Sequence, residues 1–227
     1  MKVGVLALQG DFAEHVAVFS RLGVEAREVR LPEQLEDLDG LVVPGGESTT
    51  FTHLMADYAL LEPIRRLAGA GVPIWGTCAG MIVLARQVSE LPRPGLGLMD
   101  IVVERNAFGR QVDSFEAKLA MPALGQEPFP AVFIRAPIIC EVGPDVEVLA
   151  RLSALPSDGS RHASPDGAPI VAARQGHLLA TSFHPELTSD TRLHRYFLDM
   201  VEGRGRSRAP EAAAPSSAEA NVPGTLP

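Results

Sequence analysis

The sequence predicts an α/β protein: a doubly wound, mostly parallel sheet flanked by helices, with antiparallel strands added to it. Three observations lead there. Short apolar runs end abruptly at Gly or Pro, as strands buried on both faces do. Amphipathic helical stretches separate the first of these runs from one another. After Pro92 the alternation gives way to short β-like pieces divided by Pro and Gly.

The elements follow in order. Residues 3–8 are an apolar run ending at Gln9-Gly10, a first strand. Phe12, Val16, Phe19 and Leu22 then recur at helical spacing, and Gly23 stops the helix. Residues 24–29 form a second strand, and residues 41–44 a third that runs into Gly45-Gly46. A helical stretch leads to a fourth strand at 72–75, followed at once by a helix from about 79 to 86. Residues 99–103, 115–119, 132–134 and 146–149 read as antiparallel strands beside or over the parallel sheet. Residues 169–173 and 178–183 form a hairpin turned by Gln175-Gly176. Leu193, Tyr196, Phe197 and Met200 mark a closing helix with Ser189 or Asp190 as its cap. Residues 155–168 are turn-rich and read as an exposed loop. From about Gly203 the Arg, Ala, Pro and Ser composition cannot form a core. The expectation is one domain, 1–203, followed by a disordered tail, 204–227. There is no internal repeat.

Composition narrows the function classes. With 227 residues, 46% hydrophobic and 21% charged, the chain has the size and makeup of a single globular domain. Twenty Lys+Arg against twenty-eight Asp+Glu give a net charge of −8, which argues against nucleic acid or an anionic membrane as partner. Two cysteines suggest a reducing compartment without a disulfide framework. The N-terminal apolar run reaches Gln9-Gly10-Asp11 too soon for a signal-peptide core, and no apolar stretch has membrane-spanning length. These features predict a soluble cytoplasmic protein.

The segment richest in chemistry is Ile74-Trp75-Gly76-Thr77-Cys78-Ala79-Gly80-Met81. An apolar strand delivers a cysteine to a sharp turn with a helix starting behind it, and glycines at 76 and 80 permit strained backbone and close packing. The helix N-terminus favours a thiolate at Cys78. Most lone cysteines are buried packing residues, and Cys140, without such a turn, reads as one. A thiolate nucleophile needs a base and a group to orient it. His184, in Phe183-His184-Pro185-Glu186, ends a strand where doubly wound sheets bind ligands, and Glu186 is placed to accept from its imidazole. Alone, His-Pro-Glu reads as a solvated loop pair; beside the Cys78 elbow it reads as a base and its partner. In Pro44-Gly45-Gly46-Glu47-Ser48, the glycines free backbone N–H groups, so Gly46 and Ala79 can supply an oxyanion hole. By itself that turn is a strand-to-helix turn capped by Ser48. His15 and His194 fall within amphipathic helices and His162 in the loop, and all three read as bland. No Cys-x-x-Cys, His-Glu-x-x-His, Walker loop or Gly-x-Gly-x-x-Gly is present, so neither metal nor nucleotide cofactor is expected.

With these motifs the sequence resembles the class I, triad-type glutamine amidotransferases, and within them the glutaminase subunits of pyridoxal 5′-phosphate synthases. The resemblance covers residues 1–203. Its broad motifs are Gly76-Thr77-Cys78-Ala79-Gly80 and Phe183-His184-Pro185-Glu186. The narrower ones are Gly4-Val5-Leu6-Ala7-Leu8-Gln9-Gly10 with Glu14-His15, and Pro44-Gly45-Gly46-Glu47-Ser48-Thr49-Thr50. Glu104-Arg105-Asn106-Ala107-Phe108-Gly109-Arg110-Gln111, with Asp113-Ser114-Phe115-Glu116, and Phe133-Ile134-Arg135-Ala136-Pro137 complete them. The resemblance implies a flavodoxin-like fold, a Cys78–His184–Glu186 triad, and L-glutamine contacts from Gly46, Glu47, Ser48, Arg105, Ile134 and Arg135. An amino-acid substrate needs a cation for its α-carboxylate, which Arg105 or Arg135 supplies, and acceptors for its ammonium, which Glu47 supplies. Which arginine meets ligand and which a subunit interface stays open. The implied partner is a (β/α)₈-barrel synthase subunit that receives the ammonia in a hetero-oligomer. A glutaminase serving another synthase, a non-catalytic module and a different cysteine hydrolase are the rival readings; the 104–116 segment and the complete triad argue against the first two.

Overall fold

The computed structural model describes residues 1–108, 114–152 and 168–208. Twelve strands and five helices are assigned in them. The first half runs β1 (Lys2–Leu6), α1 (Phe12–Arg21), β2 (Glu25–Val29), β3 (Gly40–Val43), α2 (Ser48–Asp57), α3 (Leu61–Gly69), β4 (Ile74–Thr77) and α4 (Ala79–Leu84). The second half runs β5 (Ala85–Val88), β6 (Met99–Glu104), β7 (Ser114–Leu119), β8 (Phe129–Ile134), β9 (Ile138–Val142), β10 (Glu147–Arg151), β11 (Ile170–Gln175), β12 (Leu178–Thr181) and α5 (Arg192–Arg208).

Ten strands share one sheet in the order β2-β1-β3-β4-β12-β11-β9-β6-β5, with β10 paired to β11; β7 and β8 form a separate two-stranded sheet. The segment from β2 to β12 is wholly parallel. Beyond β12 the pairs are antiparallel until β5 and β6, which run parallel at the edge. The expected doubly wound α/β sheet with added antiparallel strands is the architecture observed. Alternate strand residues enter opposite cores. Leu41, Val43 and Ile74 pack under α2, α3 and α4, whereas Val42, Trp75, Val3 and Val5 pack with Phe19 of α1, Phe197 of α5 and the β7–β8 pair. Chain order reverses across the sheet between β1 and β3, which opens a crevice at the strands' C-terminal ends.

Several boundaries differ from expectation. The helix behind Cys78 ends at Leu84, because every residue from Ala79 to Leu84 is buried and the polar Arg86 and Gln87 cannot continue such a helix. They occupy β5, an edge strand whose side chains reach water. Residues 138–142, given no element from the sequence beyond the reading of Cys140 as packing, are a strand. The β11–β12 turn is Gly176-His177, with Gly176 at φ 57°, and Gln175 is the last strand residue. At the start of α5, Asp190 accepts from the Arg192 N–H. That helix runs to Arg208, five residues past position 203. Most of the 155–168 loop, the motif residues Gly109, Arg110, Gln111 and Asp113, and the tail from 209 on lie outside the described residues.

Candidate active site

The C-terminal ends of β1, β3, β4 and β12 meet at one cleft of about 310 Å³. Pairing brings Cys78 and His184 together. Thr77 of β4 stands opposite Thr181 of β12, and the Cys78 N–H donates to the Thr181 carbonyl at 2.8 Å. Cys78 and His184 therefore leave neighbouring strands side by side. His184 is pinned from the far side, its N–H donating to the Val132 carbonyl of β8 at 2.8 Å.

Cys78 adopts φ 47°, the strained elbow backbone, and is 6% exposed. The elbow depends on Gly76 and Gly80, since a Cβ at either would collide with backbone: at Gly76 with Gly80 itself, at Gly80 with the Val43 carbonyl of β3. The thiol lies 3.9 Å from the Ile134 carbonyl and interacts with the His184 ring. Behind that ring, Glu186 Oε1 accepts from Nδ1 at 2.7 Å, and both residues are buried. Burial alone would lower the imidazole's pKa, but Asp11, Cys78 and Glu186 together push it up to about 12. Burial raises the Glu186 carboxyl, against the pull of His184. The structure thus brings Cys78, His184 and Glu186 together in one connected array.

Of the other expected residues, Gly46, Glu47, Ser48, Arg105, Ile134 and Arg135 all border the cleft. Gly46 has φ 143°, and a Cβ there would strike the Gln9 amide. Ala79 is buried directly behind Cys78 at the head of α4. Arg105 is held by the Glu90 carbonyl at 2.9 Å and by Glu47 and Thr49 at 3.5 Å. The cap of α2 is Glu47, not Ser48. Its carboxylate accepts from the Thr49 N–H at 3.0 Å and from the Thr50 N–H and hydroxyl at 2.6 and 2.8 Å. Burial would raise its pKa, yet these donors hold it at about 2. Oε1 takes one of these donors and Oε2 two, and the carboxylate stays half-exposed on the cleft.

Three contributors were not legible as site residues. Asp11, just past β1, lines the cleft with Oδ2 3.2 Å from His184 Nδ1, and that contact lowers its pKa. Asn106, also on the cleft, has φ 52° and Arg135 has φ 43°, so strain gathers here beyond the elbow. His15, read as bland, is fully buried with Nε2 3.2 Å from Glu186 Oε2. A position just past β1 was the available signal for Asp11; Asn106 and His15 stood inside the quoted motifs Glu104-Arg105-Asn106 and Glu14-His15 with no site role given them, and that role depends on tertiary proximity. Asp11, His184 and Glu186 also form the group of metal-ligating types found among the described residues, within 4.8 Å of one another. Both carboxylates, however, converge on the same ring nitrogen as hydrogen-bond partners. Among the described residues, no helix is long and apolar enough to cross a membrane.

The model of the SNO glutamine amidotransferase family matches residues 5–203. A pyridoxal 5′-phosphate synthase subunit PdxT from Pelotomaculum thermopropionicum is 56% identical over 207 residues, covering 91% of this chain and 98% of that one. A protein of the same name from Herpetosiphon aurantiacus is 56% identical over 203 residues, 88% of this chain and 100% of its own. A crystal structure titled as a glutamine amidotransferase superimposes with a TM-score of 0.77 at 50% identity, covering 88% of this chain and 98% of that one.

Proposed function

The chain belongs to the SNO glutamine amidotransferase family, and from that premise we propose that it is the glutaminase subunit of a pyridoxal 5′-phosphate synthase. It hydrolyses L-glutamine to L-glutamate and ammonia and passes the ammonia to the synthase subunit. The observation that carries the reading is the connected Cys78–His184–Glu186 array on the cleft of a chain 56% identical to such subunits.

The Cys78 thiolate attacks the side-chain amide carbon of glutamine, and the oxyanion is held by the Gly46 and Ala79 N–H groups. His184, an imidazolium in the resting array, gives a proton to the departing nitrogen. The C–N bond breaks, ammonia leaves and a glutamyl thioester remains. His184, now neutral, takes a proton from water; hydroxide adds to the thioester, the C–S bond breaks, and glutamate and the thiolate–imidazolium pair are restored. Glu186 keeps the imidazole oriented throughout. Arg105 and Arg135 on the cleft supply cations for the α-carboxylate, and Glu47 fixes the turn carrying Gly46 and Ser48.

The partner is a (β/α)₈-barrel synthase subunit, and the reaction is assigned to the cytoplasm, in keeping with two free cysteines. Residues 1–203 act as one glutaminase domain. The test is glutamate released from glutamine by the chain alone and with an equimolar pyridoxal 5′-phosphate synthase subunit. Strong partner-dependent release is expected, together with its loss in Cys78→Ala at unchanged folding. Release that ignores the partner would point to another synthase, and turnover retained by Cys78→Ala would overturn the triad.

A further inference from the structure

We propose that His15 is a positioning residue for the hydrolysis: a buried neutral imidazole whose Nε2–H holds the second carboxylate oxygen of Glu186 while the first holds His184. The inference rests on the triad reading above and extends it by one shell.

Glu186 Oε1 is 2.7 Å from His184 Nδ1, whereas Oε2, buried, has no well-aligned hydrogen bond of its own. His15 Nε2 hydrogen-bonds Thr77 Oγ1 at 3.3 Å and lies 3.2 Å from Glu186 Oε2 without a well-aligned bond to it, so an N–H on this nitrogen faces both oxygens. The ring's other nitrogen, Nδ1, is 3.1 Å from His194 Nε2. The tautomers follow from charge. A bare nitrogen lone pair facing a carboxylate repels it, so the His15 proton sits on Nε2. Nδ1 then accepts from His194 Nε2–H, which leaves His194 Nδ1 as a lone pair, and that atom is buried without a partner. Burial holds both rings neutral, His15 well below its ordinary pKa and His194 down at about 3.

A buried carboxylate stays ionised only when its oxygens are met by donors. The groups facing Glu186 are His184 beside it, Asp11 from the β1–α1 turn, which disfavours its charge, and His15 from α1. Cys78 at the end of β4 acts on it through His184, and His194 of α5 through His15, with Arg21 in turn acting on His194. Removing the His15 donor leaves only His184 and the Glu186 backbone N–H to favour the carboxylate against burial and Asp11, so Glu186 takes up a proton at higher pH and supports the imidazolium less.

The rival is a packing role, since His15 and His194 also meet Trp75 edge to face with centroids 5.5 and 5.0 Å apart. Three variants of the full chain separate the two roles. His15→Gln keeps an amide donor near the Nε2 position, His15→Asn keeps one near Nδ1, and His15→Phe keeps only the ring. Two profiles against pH are read: glutamate release with the synthase subunit, and alkylation of Cys78 by iodoacetamide followed by mass, which needs no glutamine turnover. His15→Asn and His15→Phe are expected to move the acid limb of both profiles up by about one pH unit. They should lower kcat about tenfold with KM unchanged, because His15 does not border the cleft. His15→Gln should stay near wild type. Superimposable acid limbs in all variants, or a His15→Gln profile matching His15→Asn, would overturn the proposal. Should His15→Phe fail to fold, the Gln and Asn pair still decides. A wild-type chain that releases no glutamate would refute the functional reading, while the alkylation profile would still test His15.

Discussion

Two carboxylates compete for one ring nitrogen, and the partly exposed one has the clearer signature in solution. Glu186 is the buried partner of His184 Nδ1; Asp11 reaches the same atom from the cleft, at 3.2 Å. The His184 contact lowers the Asp11 pKa, so the stability it contributes is present above the ordinary value of 3.8 and lost as pH falls through the folded value. His184 has the opposite sign. Its pKa rises from 6.5 to about 12, so its contribution is complete below 6.5 and lost only as pH climbs toward 12. Asp11→Asn should therefore lower the thermal midpoint through the neutral range. The gap to wild type should begin to shrink as pH falls below about 4, where the unfolded carboxyl takes up its proton, and close only as pH passes the lowered folded value. Melting curves taken from pH 7 to pH 3 check this, and a gap that does not change with pH would show that Asp11 acts by packing. The sequence exposed Cys78 and His184 because each sits in a local pattern, an elbow and a His-Pro-Glu strand end. Asp11 and His15 lie in the first tenth of the chain and matter only once β1 and α1 are folded against the β12 end. No local spacing encodes that.

The elements that hold the cleft were legible as types and less so at their ends. Capping rules favour Ser at the head of α2, whereas the structure uses Glu47 and leaves Ser48 as the first helical residue. The reason is geometric: the Gly46 backbone at φ 143° brings the longer carboxylate back over the Thr49 and Thr50 N–H groups. Glu47→Ala should cost about 1 kcal/mol and about 2–4 °C in thermal midpoint. It should also raise KM for glutamine more than it lowers kcat, because the turn bearing Gly46 and Ser48 loses its anchor. The pH course has a defined sign. The Glu47 pKa is depressed from 4.5 to about 2, so the difference between wild type and Glu47→Gln should be full above 4.5 and close as pH approaches 2. An unchanged midpoint in Glu47→Ala would mean that the cap is replaced by water. Gly80 is the stricter case. Its missing Cβ is where the β3 backbone carbonyl lies, and backbone cannot step aside as a side chain can. Gly80→Ala should cost about 2 kcal/mol or more, read as a lowered urea midpoint, and should lower glutamate release by displacing Cys78.

Across the whole molecule, alternating strands and helices gave the doubly wound class, but one pairing decisive for function was not visible. β12 inserts beside β4 although about a hundred residues separate them in sequence, and this pairing brings His184 to Cys78. Periodicity reports which face of an element is buried, not which distant element covers it. The closing helix was legible from its apolar spacing, and its packing gives a prediction about where the domain ends. Leu193, Phe197 and Val201 of α5 are buried in the core that holds Trp75 and Phe19, and His194 stands behind His15. Val201 and Phe197 also occupy the space over Gly40 at the start of β3. Burying each such large apolar side chain is worth about 1.5–3 kcal/mol, so losing three removes much of a typical margin of 5–15 kcal/mol. A chain ending at Thr191 should therefore fail to accumulate as a folded protein. A chain ending at Arg208 keeps every buried α5 residue and should melt in one transition within about 2 °C of the full chain. Its glutamate release with the synthase subunit should match as well. The measurement is a pair of melting curves with glutaminase assays on the two truncations. A chain ending at Arg208 that melts several degrees lower would mean that residues 209–227 contribute to the core, and that the domain does not close with α5.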